Sequence, residues 1–334
     1  MTSDKHNAIS PWPHRWAIVL CCATFPLIWV GALVTTYKAG MAVPDWPSTY
    51  GYNLFLYPWQ TWVFGPFDLF VEHGHRLLGS LAGLLTIGFL VAAFVTRQPR
   101  YLRVLAVIAL VGVIGQGVLG GMRVLLDERM LALAHGCTGP AFFALACVLA
   151  LVTSRRWQSV EPSPTVDRTA FVATLVTAAL ASIQLIFGAM LRHVPVDAGP
   201  QWFRIAVIFH VLTALLIAGH VFSSGWKTLR RQSDRWLTGP TTSLIVLVGV
   251  QLLLGTSTWV LKYAWPAALS GFDFAAGYTV TANSLLQSLV VTAHVAVGSL
   301  ILATAVTLAV RSGRVMKWEP GKVPFDLRVR GLAI

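Results

Sequence analysis

The chain has 334 residues, of which 56% are hydrophobic and only 11% charged, and its mean hydropathy is +0.68. That balance excludes an ordinary soluble domain and predicts an all-α membrane protein. A formal net charge of +12 is what a nucleic-acid-binding protein also shows, but the basic residues sort by side of a membrane and so argue for no nucleic acid.

Taken in chain order, uncharged stretches at Trp16–Tyr37, Leu77–Thr96, Val104–Met122, Met130–Ser154, Thr169–Leu191, Ile205–Trp226, Trp236–Leu261 and the last part of Phe274–Val310 each reach the roughly 20 residues a bilayer-spanning helix requires. These predict eight transmembrane helices. The first is expected to be retained, because no small-residue cleavage site of the usual kind follows it. With the N-terminus inside, most of the 25 lysines and arginines lie on the inner side, among them Arg97, Arg100, Arg155, Arg156, Lys227, Arg230, Arg231, Arg311 and Arg314. The outer segments hold Lys38, Arg76, Arg123, Arg129, Arg192, Arg204 and Lys262. The positive-inside rule then sets both termini in the cytoplasm, and the basic excess becomes a topology signal in contact with the lipid bilayer.

The four cysteines fall within spans: Cys21 and Cys22 in the first, Cys137 and Cys147 in the fourth. They read as small buried side chains rather than as a disulfide framework. No CxxC or CxxCH occurs, so neither a zinc site nor covalently attached heme is indicated.

The odd spans carry a shared pattern near their outer ends: Gln116 stands four residues before Gly120, Gln184 before Gly188, and Gln251 before Gly255, with Leu27 and Gly31 as a weaker match in the first. Small residues let membrane helices approach, and a glutamine amide can bond across the gap; packing and a cofactor role are both open readings. Each even span opens, just after its outer loop, with a histidine: His75, His135, His210 and His294. The repeat is therefore a helical hairpin carrying one histidine, and two such hairpins make each four-helix half, 1–160 and 161–334. Ionisable groups in a membrane are costly and usually functional. Two pairs of imidazoles suit two hemes, since facing helices supply axial ligands and an apolar bundle supplies walls for a porphyrin. Copper or zinc would call for further ligands at close spacing. His220 lies ~15 Å along the helix from His210 and reads as structural; His6, His14 and His193 lie in tail or loop.

Span two begins EHGHR, where Glu72 precedes His75 by three residues and shares its helical face. The carboxylate can orient the imidazole, relay protons, or stabilise charge developing on a bound substrate. Arg76 is placed for a carboxylate such as a heme propionate, while His73 points about 200° away from His75. The long outer loop from Lys38 to Val71 is rich in aromatic and rigid residues. It reads either as an interfacial aromatic belt or as a lid, with Asp45 and Trp46 held by Pro44 and Pro47.

These residues resemble the heme A synthases, membrane enzymes that convert heme O to heme A for cytochrome oxidase. The likeness rests on AGMAVPDWPSTYG after span one, on EHGHR, and on AHG at His135, FHV at His210 and AHV at His294. Many relatives carry a cysteine pair flanking the DWP segment; Val43 and Thr49 occupy those approximate places here. The resemblance implies that the N-terminal half receives heme O, with His75 and His135 facing the substrate heme. It also implies that the C-terminal half keeps a heme b on His210 and His294, and that Glu72 is the catalytic glutamate. A porphyrin methyl would be oxidised to a formyl group by successive hydroxylations and loss of water from the geminal diol. Implied with it are an electron donor, contacts with a heme O synthase and cytochrome oxidase assembly factors, and a bacterial cell membrane. Two rival readings remain: a di-heme b-type cytochrome that only transfers electrons, and a heme-delivery protein.

Overall fold

The structure, a computed structural model, describes residues 10–164, 166–195, 197–263 and 284–316. Among these the helices run α1 (Trp12–Thr36), α2 (Trp59–Val63), α3 (Phe67–Val95), α4 (Arg100–Leu125), α5 (Arg129–Val152), α6 (Arg155–Ser159), α7 (Arg168–Arg192), α8 (Pro200–Arg231), α9 (Arg235–Tyr263) and α10 (Leu285–Val315). The described residues contain no β-strand, only isolated bridges at Thr49 with Tyr52 and at Ser163 with Met316. Eight of the helices, all but α2 and α6, are long and apolar enough to cross a membrane, as an integral membrane protein requires.

The helices overrun the apolar stretches that announce them. α3 starts at Phe67 rather than near Leu77, so the polar EHGHR segment is helical throughout. Pro66 is its N-cap and is itself extended, the non-helical backbone usual at that position. Side-chain caps fix other starts: the Glu128 carboxylate accepts from Met130 N at 2.9 Å, Asp167 from Ala170 N at 2.8 Å, and Ser284 Oγ from Gln287 N at 3.1 Å, each worth roughly 1 kcal/mol. The expected beginning of span eight at Phe274 lies outside the described residues. The short helices α2 and α6 have no counterpart in the hydropathy pattern, because five residues cannot build an apolar window.

α1, α3, α4 and α5 pack in a closed ring, each against the next, and α7, α8, α9 and α10 do the same. α10 meets both α1 and α5, and α5 meets α7, joining the two rings. With lipid outside, close packing rather than exclusion of water drives such contacts, so small residues belong at the seams. Ala17, Ala82, Ala93, Ala106 and Ala109 are fully buried, while Leu84, Val111 and Leu253 are exposed on faces that meet lipid. Pro26, Pro140 and Pro240 lie inside helices, tolerated because neighbouring groups take up freed backbone atoms.

Cys21 and Cys147 approach to 3.2 Å between their sulfurs across α1 and α5, and all four cysteines are free thiols. Cys22 departs from the expectation of burial: it is exposed, on the outward side of α1.

Candidate functional site

The four repeat histidines sit deeper than the N-terminal ends of their helices. By helix rise, His135 lies ~9 Å inside the start of α5, His75 ~12 Å inside α3, His294 ~14 Å inside α10 and His210 ~15 Å inside α8. The glycines of the odd helices explain how the imidazoles fit there. A methyl group added at Gly31 would stand 2.7 Å from Cε1 of His75; the corresponding approaches are 3.1 Å from Gly120 to His135, 3.3 Å from Gly188 to His210, and 3.1 Å from Gly255 to His294. Each imidazole therefore occupies the notch left by one absent side chain. Each also lies against the backbone of the residue four positions before its glycine, namely Leu27, Gln116, Gln184 and Gln251. The first span, which looked the weakest copy, has the same construction.

The glutamines act between helices. Gln184 and Gln251 donate to the backbone carbonyls of His210 and His294, each at 3.0 Å, and Gln116 bonds Thr138 on the helix that carries His135. This is the helix-joining role, which the sequence left level with a cofactor role.

Across each ring the histidines meet in pairs. The ring centroids of His75 and His135 are 6.2 Å apart with planes at 89°, and those of His210 and His294 are 6.3 Å apart at 67°. Two nitrogens each roughly 2 Å from a shared metal, plus about 1 Å from nitrogen to ring centre on each side, would require about 6 Å. Each gap thus has the width of one metal atom between two imidazoles. Nδ1 of His75, His135 and His294 is buried without a hydrogen bond among the described residues. No group of three or more His, Cys, Asp or Glu converges among those residues, so each pair offers two protein ligands.

Among the described residues, only the first pair has a carboxylate beside it. Glu72 is 1% exposed; its Oε1 lies 3.0 Å from Arg76 Nη2 and 3.9 Å from Arg123 Nη2. Its Oε2 is buried and makes no hydrogen bond among the described residues. A buried carboxylate in low dielectric is tolerable because two guanidiniums balance it, with the backbone of Ala42 also against it. Arg123 is a residue that the sequence displayed only as an outer charge; its place three residues after Gly120 was the available signal.

Arg76 is engaged largely with the loop. Its guanidinium donates to the carbonyls of Val43 at 2.7 Å, Asp45 at 2.6 Å and Ser48 at 3.0 Å, besides Glu72. Asp45 is a turn former: its carboxylate accepts from Ser48 Oγ, Tyr50 N at 2.8 Å and Gly51 N at 2.9 Å. Burial raises its carboxyl pKa, but the bonds from Gly51, Ser48 and Tyr50 outweigh this and hold it below the ordinary carboxylate value. Trp46 packs its indole onto α4, where any side chain at Gly121 would collide with it at 2.2 Å. His73 is 2% exposed, bonds Thr49 Oγ1 at 3.1 Å, and sits between the rings of Tyr57 and Trp62. The loop is thus a cap pinned at two points on one face of α3, by Arg76 and by His73 three residues before it.

A fifth histidine, expected in a loop, is part of this region. His193, just past α7, comes within 3.5 Å of where a side chain at Gly136 would begin. Burial, then Arg192, Arg123, His135 and Arg129, push its pKa down to about 4. It stands at the join of the two rings, next in the chain to Arg192, which donates to Ala32 O of α1 at 3.1 Å. Sequence position alone gave no sign of this contact.

Fold and site together define an eight-span membrane protein with two facing-imidazole sites, one of them served by a buried carboxylate under a pinned loop. The model of one family, described as cytochrome oxidase assembly protein (COX15-CtaA), matches residues 14–200, and the chain belongs to that family. The match takes in Glu72, His75 and His135; His210 and His294 lie beyond it. Similar curated proteins are the heme A synthases of Listeria monocytogenes serotype 4a and Listeria innocua, each 36% identical over 136 residues, which is 40% of this chain and 41% of the relative. That of Listeria welshimeri is 34% identical over the same length. The aligned stretch therefore spans less than half of each of these relatives.

Proposed function

We propose that the protein is a heme A synthase, an oxidoreductase that converts a methyl group of heme O to the formyl group of heme A for cytochrome oxidase. The observation that carries this is Glu72: a carboxylate one turn from His75, buried, and balanced by Arg76 and Arg123. A cytochrome that only passes electrons has no use for that group, whose burial is costly.

On this reading heme O is the substrate between His75 and His135, entering beneath the loop that Arg76 and His73 hold. Glu72 relays protons, accepting them if water is the oxygen source and delivering them if dioxygen is, as the methyl carbon becomes a hydroxymethyl and then a geminal diol, and loss of water from the diol gives the aldehyde. The loop, with Asp45 and Trp46, keeps bulk water from the reacting edge. Arg123 brings positive charge suited to a propionate, whereas the terminal donors of Arg76, also expected to meet one, are engaged with the loop and Glu72. In the C-terminal ring the 6.3 Å separation of His210 and His294 fits a resident heme b, which supplies one-electron transfer when bound. The proposed setting is a bacterial cell membrane with both termini cytoplasmic and the histidine sites toward the outside. A heme O synthase would supply the substrate, and cytochrome oxidase assembly factors would take the product.

The test is coexpression with a source of heme O, followed by extraction and chromatography of hemes. Heme A should appear only with the intact chain. Heme b alone in the purified protein, with heme O unconverted, would leave the electron-transferring cytochrome as the correct reading.

A further inference from the structure

The second ring contains a cleft unrelated to either histidine pair. A cavity of about 220 Å³ opens between α7, α8, α9 and α10 at the end of the bundle opposite the paired histidines, and His220, Thr174, Thr177, Ser224, Lys227 and Arg231 are among its lining residues. Along α8 it runs from Arg231 to His220, a depth of ~16 Å by helix rise. Its base is another ~15 Å along the same helix from His210. The hydroxyls that line it are satisfied by their own helices, as such depth in a membrane requires: Thr174 donates to Phe171 O at 2.6 Å, Thr177 to Ala173 O at 2.9 Å and Ser224 to His220 O at 2.6 Å, which leaves each oxygen as an acceptor.

The state of that imidazole is defined by its partner. Nε2 of His220 lies 2.9 Å from the carbonyl oxygen of Ala173, and Thr177 Oγ1 donates to the same oxygen at 2.9 Å. A carbonyl only accepts, so Nε2 carries the hydrogen, and in the neutral ring Nδ1 is a hydrogen-bond acceptor. At the mouth, Lys227 and Arg231 are exposed.

We propose that this cleft seats the headgroup of a membrane-dissolved hydroquinone, one of whose hydroxyls donates to Nδ1 of His220. The inference rests on the heme A synthase reading, whose electron count demands such a partner. Turning a methyl into a formyl group removes four electrons from the carbon. If water supplies the oxygen, R–CH3 + H2O gives R–CHO + 4 H⁺ + 4 e⁻ and an acceptor is required. If dioxygen supplies it, R–CH3 + 2 O2 + 4 H⁺ + 4 e⁻ gives R–CHO + 3 H2O and a donor is required. In both cases electrons cross the protein boundary in multiples of two, and the described chain is almost entirely bilayer helix. A lipid-soluble two-electron carrier meets that need. A phospholipid headgroup is disfavoured by depth: the hydroxyls and His220 continue far below the two cations at the mouth, where a phosphate would stay.

The experiment is equilibrium binding of decylubiquinol, held reduced, to the purified full chain in detergent, with an azido-hydroquinone photolabel to map the site. Saturable binding with label on α7 and α8 is expected, with affinity falling about tenfold in His220→Leu and Thr177→Val and recovering in His220→Gln, whose amide offers both donor and acceptor. Absence of saturable binding, or label confined to other helices, overturns the proposal even if a variant fails to fold. So does a tightly held phospholipid that leaves with Lys227→Ala and that hydroquinone does not displace. Because binding is read without heme A, hydroquinone bound at His220 in a chain that makes no heme A would remove the proposed reaction and keep the cleft. Heme A formation without hydroquinone binding would do the reverse.

Discussion

Gly31 and His75 are in contact across α1 and α3 so closely that one added methyl group would meet the imidazole at 2.7 Å. The same relation recurs at Gly120, Gly188 and Gly255, which makes the glycine, as much as the histidine, the conserved unit of the internal repeat within this chain. A side chain here displaces a ring whose position sets the 6.2 Å and 6.3 Å spacings.

Gly255→Val should therefore lower the heme content of the purified protein several-fold, while Gly249→Ala, where an added methyl meets nothing within 4 Å, should leave it unchanged. Heme per chain by the pyridine hemochrome method decides this. Equal heme content in both variants would mean the notch is not needed for ligation.

Glu72→Gln keeps shape but loses the charge and the proton-accepting oxygen. Heme A formation should fall by ~10²- to 10⁴-fold, the usual contribution of a positioned acid–base group, with heme O or its hydroxylated form accumulating and the b-type spectrum retained. Near-normal heme A output would reduce Glu72 to a charge balancing Arg76 and Arg123.

Arg76→Ala removes donors to three loop carbonyls and to Glu72. Bonds from a charged donor contribute roughly 1.5–3 kcal/mol each before relaxation, enough to free the Val43–Gly51 segment. Limited proteolysis from the outer side should cut this loop at least ten times faster in the variant. Unchanged cutting would show that His73, Thr49 and the Trp46 contact hold the cap alone.

The Asp45 carboxyl lies below its ordinary value in the folded loop, so it is the ionised form that supports the turn. Its stabilisation is complete above the unfolded carboxylate pKa of about 3.9 and is lost as pH falls through the lower, folded value. Loop proteolysis should stay flat from pH 8 to about 5 and rise only in stronger acid. Asp45→Asn should show raised cutting at every pH; a wild-type rise already near neutrality would assign the pH dependence to another group.

A reporter fused after Arg330 should be active only in the cytoplasm if the basic residues orient the bundle. Activity of a periplasm-dependent reporter at that point would invert the proposed sidedness and put the histidine sites inside.

Hydropathy was enough to reveal the eight spans, since a stretch of about 20 apolar residues in lipid has little choice but helix. The recurrence of His75, His135, His210 and His294 and the E-x-x-H spacing at Glu72 were also legible, because residues three or four apart share a helical face whatever surrounds them. What the sequence could not determine is anything that depends on two distant segments meeting. The pairing of the imidazoles was already implied by the family resemblance, but that Arg123 reaches Glu72, that Arg76 grips Val43, Asp45 and Ser48, that Trp46 needs Gly121, and that His193 lies against Gly136 were all decided by the packing of one helix on another. Helix periodicity constrains neighbours within a turn, whereas these contacts join positions tens of residues apart through the order in which the helices close their rings.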